Sequence, residues 1–216
     1  MPLAMFALGF FPNLLVEWNV MWSLIVACGG TALLADLARS SGKRIEQTLF
    51  EKWGGQPTVA LLRHQGVSNK VLLHRRHRRL HSLTGHRIPT MEEEQQDSLA
   101  ADAVYEACST YLRSITRDGN AAKLVFEENC NYGFRRNMLG LKPFGITTSI
   151  VGTVGTAALF VVSRFTEVLA PSPLAIISGI VNFLLFVFWL QVVDATWVKS
   201  MADAYANRLL EACDNA

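Results

Sequence analysis

Hydrophobic positions in this chain form long unbroken runs toward both ends and helical stripes between them. A helix needs about 20 mostly apolar residues to span roughly 30 Å of hydrocarbon at about 1.5 Å rise per residue. Three windows reach that length: Val20 to Leu37, Phe144 to Ser163 and Leu174 to Val193. Trp18 and Trp22 stand at the entrance of the first, where indole rings settle at headgroup level, and Asp36 stands at its exit. Lys142 and Pro143 precede the second, Pro143 suiting a helix start, and Arg164 closes it. The third follows Pro171 and Pro173 and contains the run Phe183 to Leu190. Residues 3–15 are apolar too, but Pro12, Asn13 and Glu17 cut them short, which predicts an interfacial or re-entrant segment. No Lys or Arg precedes Arg39, so the basic start of a secretory signal is missing and the first span is expected to be retained as an anchor.

Between these runs the punctuation predicts short helices. Lys43 to Trp53 ends at Gly54-Gly55, and Pro57-Thr58 restarts the chain for Val59 to His64. Ser68 or Asn69 caps a helix from Lys70 to Leu83, closed by Gly85. Thr90 and Glu93 have capping-box spacing. The helix they start is expected to reach Ile115, with Val104, Cys108, Tyr111 and Ile115 on one stripe and Ala100, Ala103 and Ala107 alongside. Asp118-Gly119-Asn120 is a turn, and a helix from Ala121 to Asn131 breaks at Tyr132-Gly133. No strand alternation or internal repeat occurs. The expectation is an all-α integral membrane protein with about three transmembrane helices and a helical cytoplasmic domain inserted between the first and second. Its segments would be 1–38, 39–143, 144–193 and 194–216.

Composition sharpens this picture. Of 216 residues, 50% are hydrophobic and 18% charged, and 20 Lys+Arg against 18 Asp+Glu leave a net charge of +2. The charges are segregated: 1–38 hold only Glu17 and Asp36, and 144–193 only Arg164 and Glu167. Disordered, collagen-like, secreted disulfide-rich and ordinary soluble classes are thereby excluded. Residues 39–143 carry 17 of the 20 Lys+Arg, and short basic loops stay cytoplasmic, so the N-terminus is expected outside and the middle domain and C-terminus inside a bacterial inner membrane. Cys28 falls in a span, Cys108, Cys130 and Cys213 in a reducing compartment, and no CxxC spacing occurs.

Within the middle domain, 39–88 hold 11 basic and 2 acidic residues, a net of +9, whereas 89–143 hold 6 and 9, a net of −3. The densest run is His74-Arg75-Arg76-His77-Arg78-Arg79-Leu80-His81. Guanidinium forks match phosphate bidentately, so Arg75, Arg76, Arg78 and Arg79 are candidates for an anionic ligand: nucleotide, nucleic acid or lipid headgroup. The plainer alternative is a solvated helix that fixes topology and pairs with Glu92, Glu93, Glu94 and Asp97. All five histidines, His64, His74, His77, His81 and His86, fall in the same region, and helical spacing puts His74, His77 and His81 on one face. A metal-dependent enzyme built on His64 to His86 is the rival this raises, but the interleaved arginines repel a divalent cation and no HExxH is present, so no metal or cofactor is assigned. No nucleophile, base and oxyanion set surrounds Glu127 and Glu128, and no catalytic residue is assigned. Trp53-Gly54-Gly55-Gln56-Pro57-Thr58 lacks the lysine and spacing of a phosphate loop.

Tyr132-Gly133-Phe134-Arg135-Arg136-Asn137 is expected to form an elbow before the second span, with Arg135 and Arg136 meeting phosphates. In the second span Ser149, Gly152 and Thr156 follow small-residue spacing, and Gly29 and Gly30 offer a notch in the first. Asn182 near the middle of the third needs a hydrogen-bond partner, from the second span or from another subunit. The spans lack the ionisable groups of an ion-coupled carrier. The strings Trp53 to Thr58 and Asn131-Tyr132-Gly133-Phe134-Arg135-Arg136-Asn137 resemble those of bacterial multi-span membrane proteins of unassigned function, a resemblance that covers the middle of the chain and implies no activity. The architecture is similar to that of small membrane effectors of phage defence, which implies a cytoplasmic nucleotide-sensing module on a few spans. Taken together, the expectation is a non-enzymatic homo-oligomer in the bilayer that couples an anionic ligand or a cytoplasmic protein partner to its spans, with a passive scaffold subunit as the further alternative.

Overall fold

The computed structural model describes residues 29–116, 123–165 and 173–215. Every regular element among them is helical: α1 Gly30–Trp53, α2 Pro57–Ala60, α3 Lys70–Thr84, α4 Met91–Gln96, α5 Ser98–Ile115, α6 Lys123–Ser163, α7 Pro173–Gln191 and α8 Ala195–Asn215. Two of them, α6 and α7, are long and apolar enough to cross a membrane. The residues fall into two units, one of Met1–Arg44 with Arg136–Asp194 and one of Ile45–Arg135 with Ala195–Ala216. The division between the units thus falls between Arg135 and Arg136, and Ala195–Ala216, which follows α7, belongs to the same unit as Ile45–Arg135.

Helix ends in the second unit follow local chemistry. The Asn69 side chain accepts from Leu72 N at 3.0 Å, and Gly85, at φ 71, closes α3 in the left-handed conformation that glycine adopts without a Cβ penalty. The capping box closes both ways: Glu93 N donates to Thr90 Oγ1 and Thr90 N to Glu93 Oε2. The single helix expected from Thr90 to Ile115 is divided at Asp97, whose non-helical backbone ends α4 and whose carboxylate accepts from Ala100 N at 3.0 Å to start α5. The buried stripe of α5 is Ala101, Tyr105, Cys108, Ser109 and Leu112, while Tyr111 and Ile115 are exposed, a shift of the expected face.

The core of this unit joins Val59 and Leu62 with Leu80 of α3, Tyr105, Cys108 and Leu112 of α5, and Leu209, Leu210 and Cys213 of α8. Val198, Ala202, Ala206, Leu209 and Cys213 recur at three and four residues and are all buried, so α8 has one continuous buried face, whose C-terminal part joins that core. Each buried leucine contributes about 1.5–3 kcal/mol of transfer free energy, so α8 is a structural member of the domain rather than an appended tail.

The expected break at Tyr132-Gly133 and helix start at Pro143 are both corrected, because α6 runs unbroken through them. Tyr132 is buried, donates its hydroxyl to Glu46 Oε1 at 2.8 Å and lies parallel to Tyr205, contacts that outweigh the roughly 1 kcal/mol helix penalty of the adjacent Gly133. Pro143 sits inside the helix. Its ring removes one backbone donor, a loss tolerated inside apolar helices where neighbours re-satisfy the carbonyls. The N-terminal part of the expected first span, with Trp18, Trp22 and residues 3–15, lies outside the described residues.

In the first unit small residues set the helix spacing. A Cβ on Gly140 of α6 would stand 2.6 Å from the Ser41 carbonyl carbon and 2.7 Å from Gly42 N of α1, so the two backbones touch there. A Cβ on Gly42 would in turn collide with Asn137. Gly29 meets nothing within 4 Å among the described residues, and the close approach seen in α1 is made by Gly42. Along α6 and α7, Trp189 covers Gly145, Asn182 fills the notch of Gly152, and Thr156 Cγ2 would be 3.0 Å from a Cβ on Gly179. Asn182 is fully buried within the chain and donates to Ser178 Oγ of its own helix at 3.4 Å, so its amide is not presented to another subunit. Lys142 Nζ donates to the carbonyls of Val193 at 2.8 Å and Leu190 at 3.4 Å, placing a cation at the C-terminus of α7.

Candidate functional site

The basic run of α3 does not lie on one side of its helix. Arg76 and His77 are buried, whereas His74, Arg75, Arg78, Arg79 and His81 are exposed. Helical spacing explains the division: Leu73, Arg76, His77 and Leu80 are three and four apart and occupy the inward face. His77 Nε2 donates to the Leu62 carbonyl at 2.7 Å and its ring stacks on Tyr105 with centroids 5.8 Å apart. Burial holds the His77 imidazole below its usual range and therefore neutral, outweighing the opposing effect of the Leu62 carbonyl.

Beneath it lies a buried carboxylate. Glu94 accepts from His64 N at 2.9 Å, from Gln65 N at 3.4 Å and from the Tyr105 hydroxyl at 2.8 Å. Burial and the Glu94 bond keep the Tyr105 phenol protonated, raising it well above the ordinary tyrosine range. This network fixes the turn after α2 against α5. The acidic residues proposed to neutralise the arginines are engaged elsewhere as well: Glu93 in the capping box and an Arg87 ion pair at 2.5 Å, Asp97 at the start of α5.

Above this network a cleft of about 610 Å³ opens between α3 and the extended segment that follows Gly85. Lys70, His74, His77, Arg78 and His81 line one wall; Arg87, Ile88, Pro89, Thr90 and Met91 line the other, with His64 alongside. Among the described residues, no carboxylate borders it. Its volume falls within the range of roughly 300–1,000 Å³ usual for small-molecule sites. Three imidazoles are oriented by carbonyls, which can only accept: His64 Nε2–H donates to Pro89 O at 3.0 Å, His77 Nε2–H to Leu62 O, and His81 Nδ1–H to His86 O at 2.8 Å. Each therefore keeps its other ring nitrogen as an acceptor, or as a second donor once protonated. Lys70 Nζ donates to the His64 carbonyl and has further N–H groups available.

The structure thus brings four of the five histidines to one cleft but divides the arginine set. Arg78 lines the cleft; Arg75 and Arg79 are exposed away from it, and Arg76 belongs to the interior. Among the described residues, no three His, Cys, Asp or Glu side chains converge as a metal-ligand set, since the imidazoles are turned toward separate carbonyls. Arg135 is engaged inside the second unit: Nη1 donates to the Trp197 carbonyl and to Ser200 Oγ, both at 2.9 Å, and the guanidinium lies 4.7 Å from the Trp197 ring centroid. Arg136 donates to Asn137 Oδ1 at 3.5 Å. Both lie within α6 rather than on an elbow.

Sequence reasoning missed Arg63. Its Nε and Nη2 hold Asp102 at 2.8 and 2.6 Å, and Nη1 holds the Gly54 carbonyl at 2.7 Å. Gly55, at φ 129, packs so closely on this guanidinium that a Cβ would stand 2.9 Å from Nη2. The paired glycines after Trp53 therefore serve an internal ion pair, and their spacing two and three residues before Pro57 was the available signal. What these features define is an all-helical chain with two helices long enough to cross a membrane and a domain bearing a basic, histidine-lined cleft. No family model, curated protein or solved structure matches it.

Proposed function

We propose that this chain is a non-enzymatic, oligomeric protein of the bacterial inner membrane whose cytoplasmic helical domain binds an anionic ligand and couples it to the membrane helices, as a defence or signalling effector would. The observation that carries this is the cleft itself: cations and imidazoles on its walls, no carboxylate among the described residues that line it, and a volume suited to a small molecule. Three spans with the N-terminus outside agree with the segregated charges, and the exposed Ile176, Ile180, Phe183, Leu184 and Val187 of α7 support contact with lipid. Exposed Leu124, Phe126 and Phe134 of α6 support association with a further protein surface, a second copy or a partner.

The test uses the full chain in mild detergent, titrated with pyrophosphate beside the double variant K70E/R78E. Both side chains are exposed, so charge reversal leaves the core intact. Binding that is lost in the variant supports the proposal; no binding in either protein, or equal binding in both, refutes it.

A further inference from the structure

We infer that the cleft takes a phosphomonoester carried on a flat, largely apolar ring, of which a mononucleotide is the type; the inference rests on the anion-binding proposal above and narrows it. The two walls differ in chemistry. Lys70, His74, Arg78 and His81 recur at steps of four, four and three residues, so they form one cationic and imidazole stripe along α3. The facing wall, the segment from Arg87 to the start of α4 at Met91, offers apolar Ile88, Pro89 and Met91 beside Arg87, whose charge is paired with Glu93.

Occupying both walls requires compact negative charge on one side of the ligand and apolar surface on the other. Inorganic phosphate would use only the stripe and leave most of about 610 Å³ unfilled. A phosphomonoester carries roughly −1.5 to −2 at neutral pH and three acceptor oxygens. Those oxygens match the Arg78 fork and the remaining Lys70 donors. The body is a ring rather than an acyl chain because the apolar wall is only a few residues long and the half-buried His64 ring stands beside it.

The experiment is calorimetric titration of the full chain in mild detergent with the four common ribonucleoside 5′-monophosphates, their nucleosides, inorganic phosphate, and vesicles containing phosphatidic acid. At least one monophosphate is expected to bind tenfold or more tightly than either its nucleoside or inorganic phosphate. Arg78→Gln is expected to weaken that monophosphate and inorganic phosphate alike by about tenfold, and Met91→Gln to weaken only the monophosphate. Phosphate bound as tightly as every monophosphate, through Arg78, would overturn the ring and leave the anion site standing. Binding of phosphatidic acid vesicles alone would assign the phosphate to a lipid and overturn the inference. If no probe binds and pyrophosphate also fails, the anion-binding proposal falls with it.

Discussion

Two glycines of the same helix should respond to alanine with opposite signs. Gly133 and Gly140 both lie inside α6, where replacing glycine by alanine intrinsically stabilises by about 1 kcal/mol. At Gly133 a Cβ would meet nothing within 4 Å, so Gly133→Ala should realise that gain. At Gly140 the same atom would stand 2.6 Å from the Ser41 carbonyl carbon, against the 3.5–4.0 Å that non-bonded carbons prefer, a deficit of roughly 1 Å. The obstructing atoms are backbone, which no rotamer change removes, so α1 and α6 must separate. Overpacking of this kind costs about 1–3 kcal/mol or more, and separation also forfeits dispersion contacts along the crossing. The net expectation is destabilisation of roughly 1–2 kcal/mol for Gly140→Ala, a lowering of Tm by about 2–8 °C for a chain of this size. Thermal melting of helicity in mild detergent, with both variants beside the parent, makes the comparison. A Gly140→Ala protein that melts at or above the parent would refute the backbone-contact argument.

Three further expectations follow from the second unit. Glu94→Ala strands two backbone amides and the Tyr105 hydroxyl and should cost about 3–5 kcal/mol, whereas Tyr105→Phe, which removes one donor, should cost about 1–2 kcal/mol; equal losses in chemical denaturation would contradict this network. His77 has a folded pKa below its ordinary 6.5, so the unfolded chain takes up its proton first and the stability associated with the neutral ring is present above pH 6.5 and lost as pH falls below it. His77→Gln should flatten that part of the profile of Tm between pH 8 and 5, and an unchanged slope would assign the effect to other groups. A membrane-impermeant maleimide should label exposed Cys130 from the cytoplasmic side only and spare buried Cys108 and Cys213 until unfolding; burial also pushes the Cys108 thiol up, which slows it further. Labelling of Cys130 from the outer side would invert the proposed orientation.

Local chemistry was the most legible part of the sequence. Asn69, Gly85 and the Thr90–Glu93 pair act within four residues of one another in the chain, so their caps could be read directly. The apolar run of α7 was equally plain, because length and composition alone define such a helix. What could not be read depended on partners distant in the chain. Tyr132 overrides Gly133 through Glu46 and Tyr205, and Gly140 matters because Ser41 and Gly42 lie against it. The cleft was half legible: its histidine spacing on α3 was visible, but the wall from Arg87 to Met91 and the burial of Arg76 and His77 depend on how α3 packs. Arg63 was passed over because its partner Asp102 comes from another helix.

The position of α8 in the core also dictates an order of events during synthesis. Leu209, Leu210 and Cys213 complete a core begun by Val59, Leu62 and Leu80, yet the ribosome reaches them only after α6 and α7 have been made. At about 5–20 residues per second, the roughly 100 residues between Leu112 and Cys213 take on the order of 5–20 seconds to emerge. During that interval the nascent domain displays an unfilled apolar groove, and closing it requires a contact of long sequence separation. Maturation of the domain is therefore scheduled by the segment that interrupts it, and a ribosome stalled within α7 would leave a chain whose second unit is still open to chaperones and proteases.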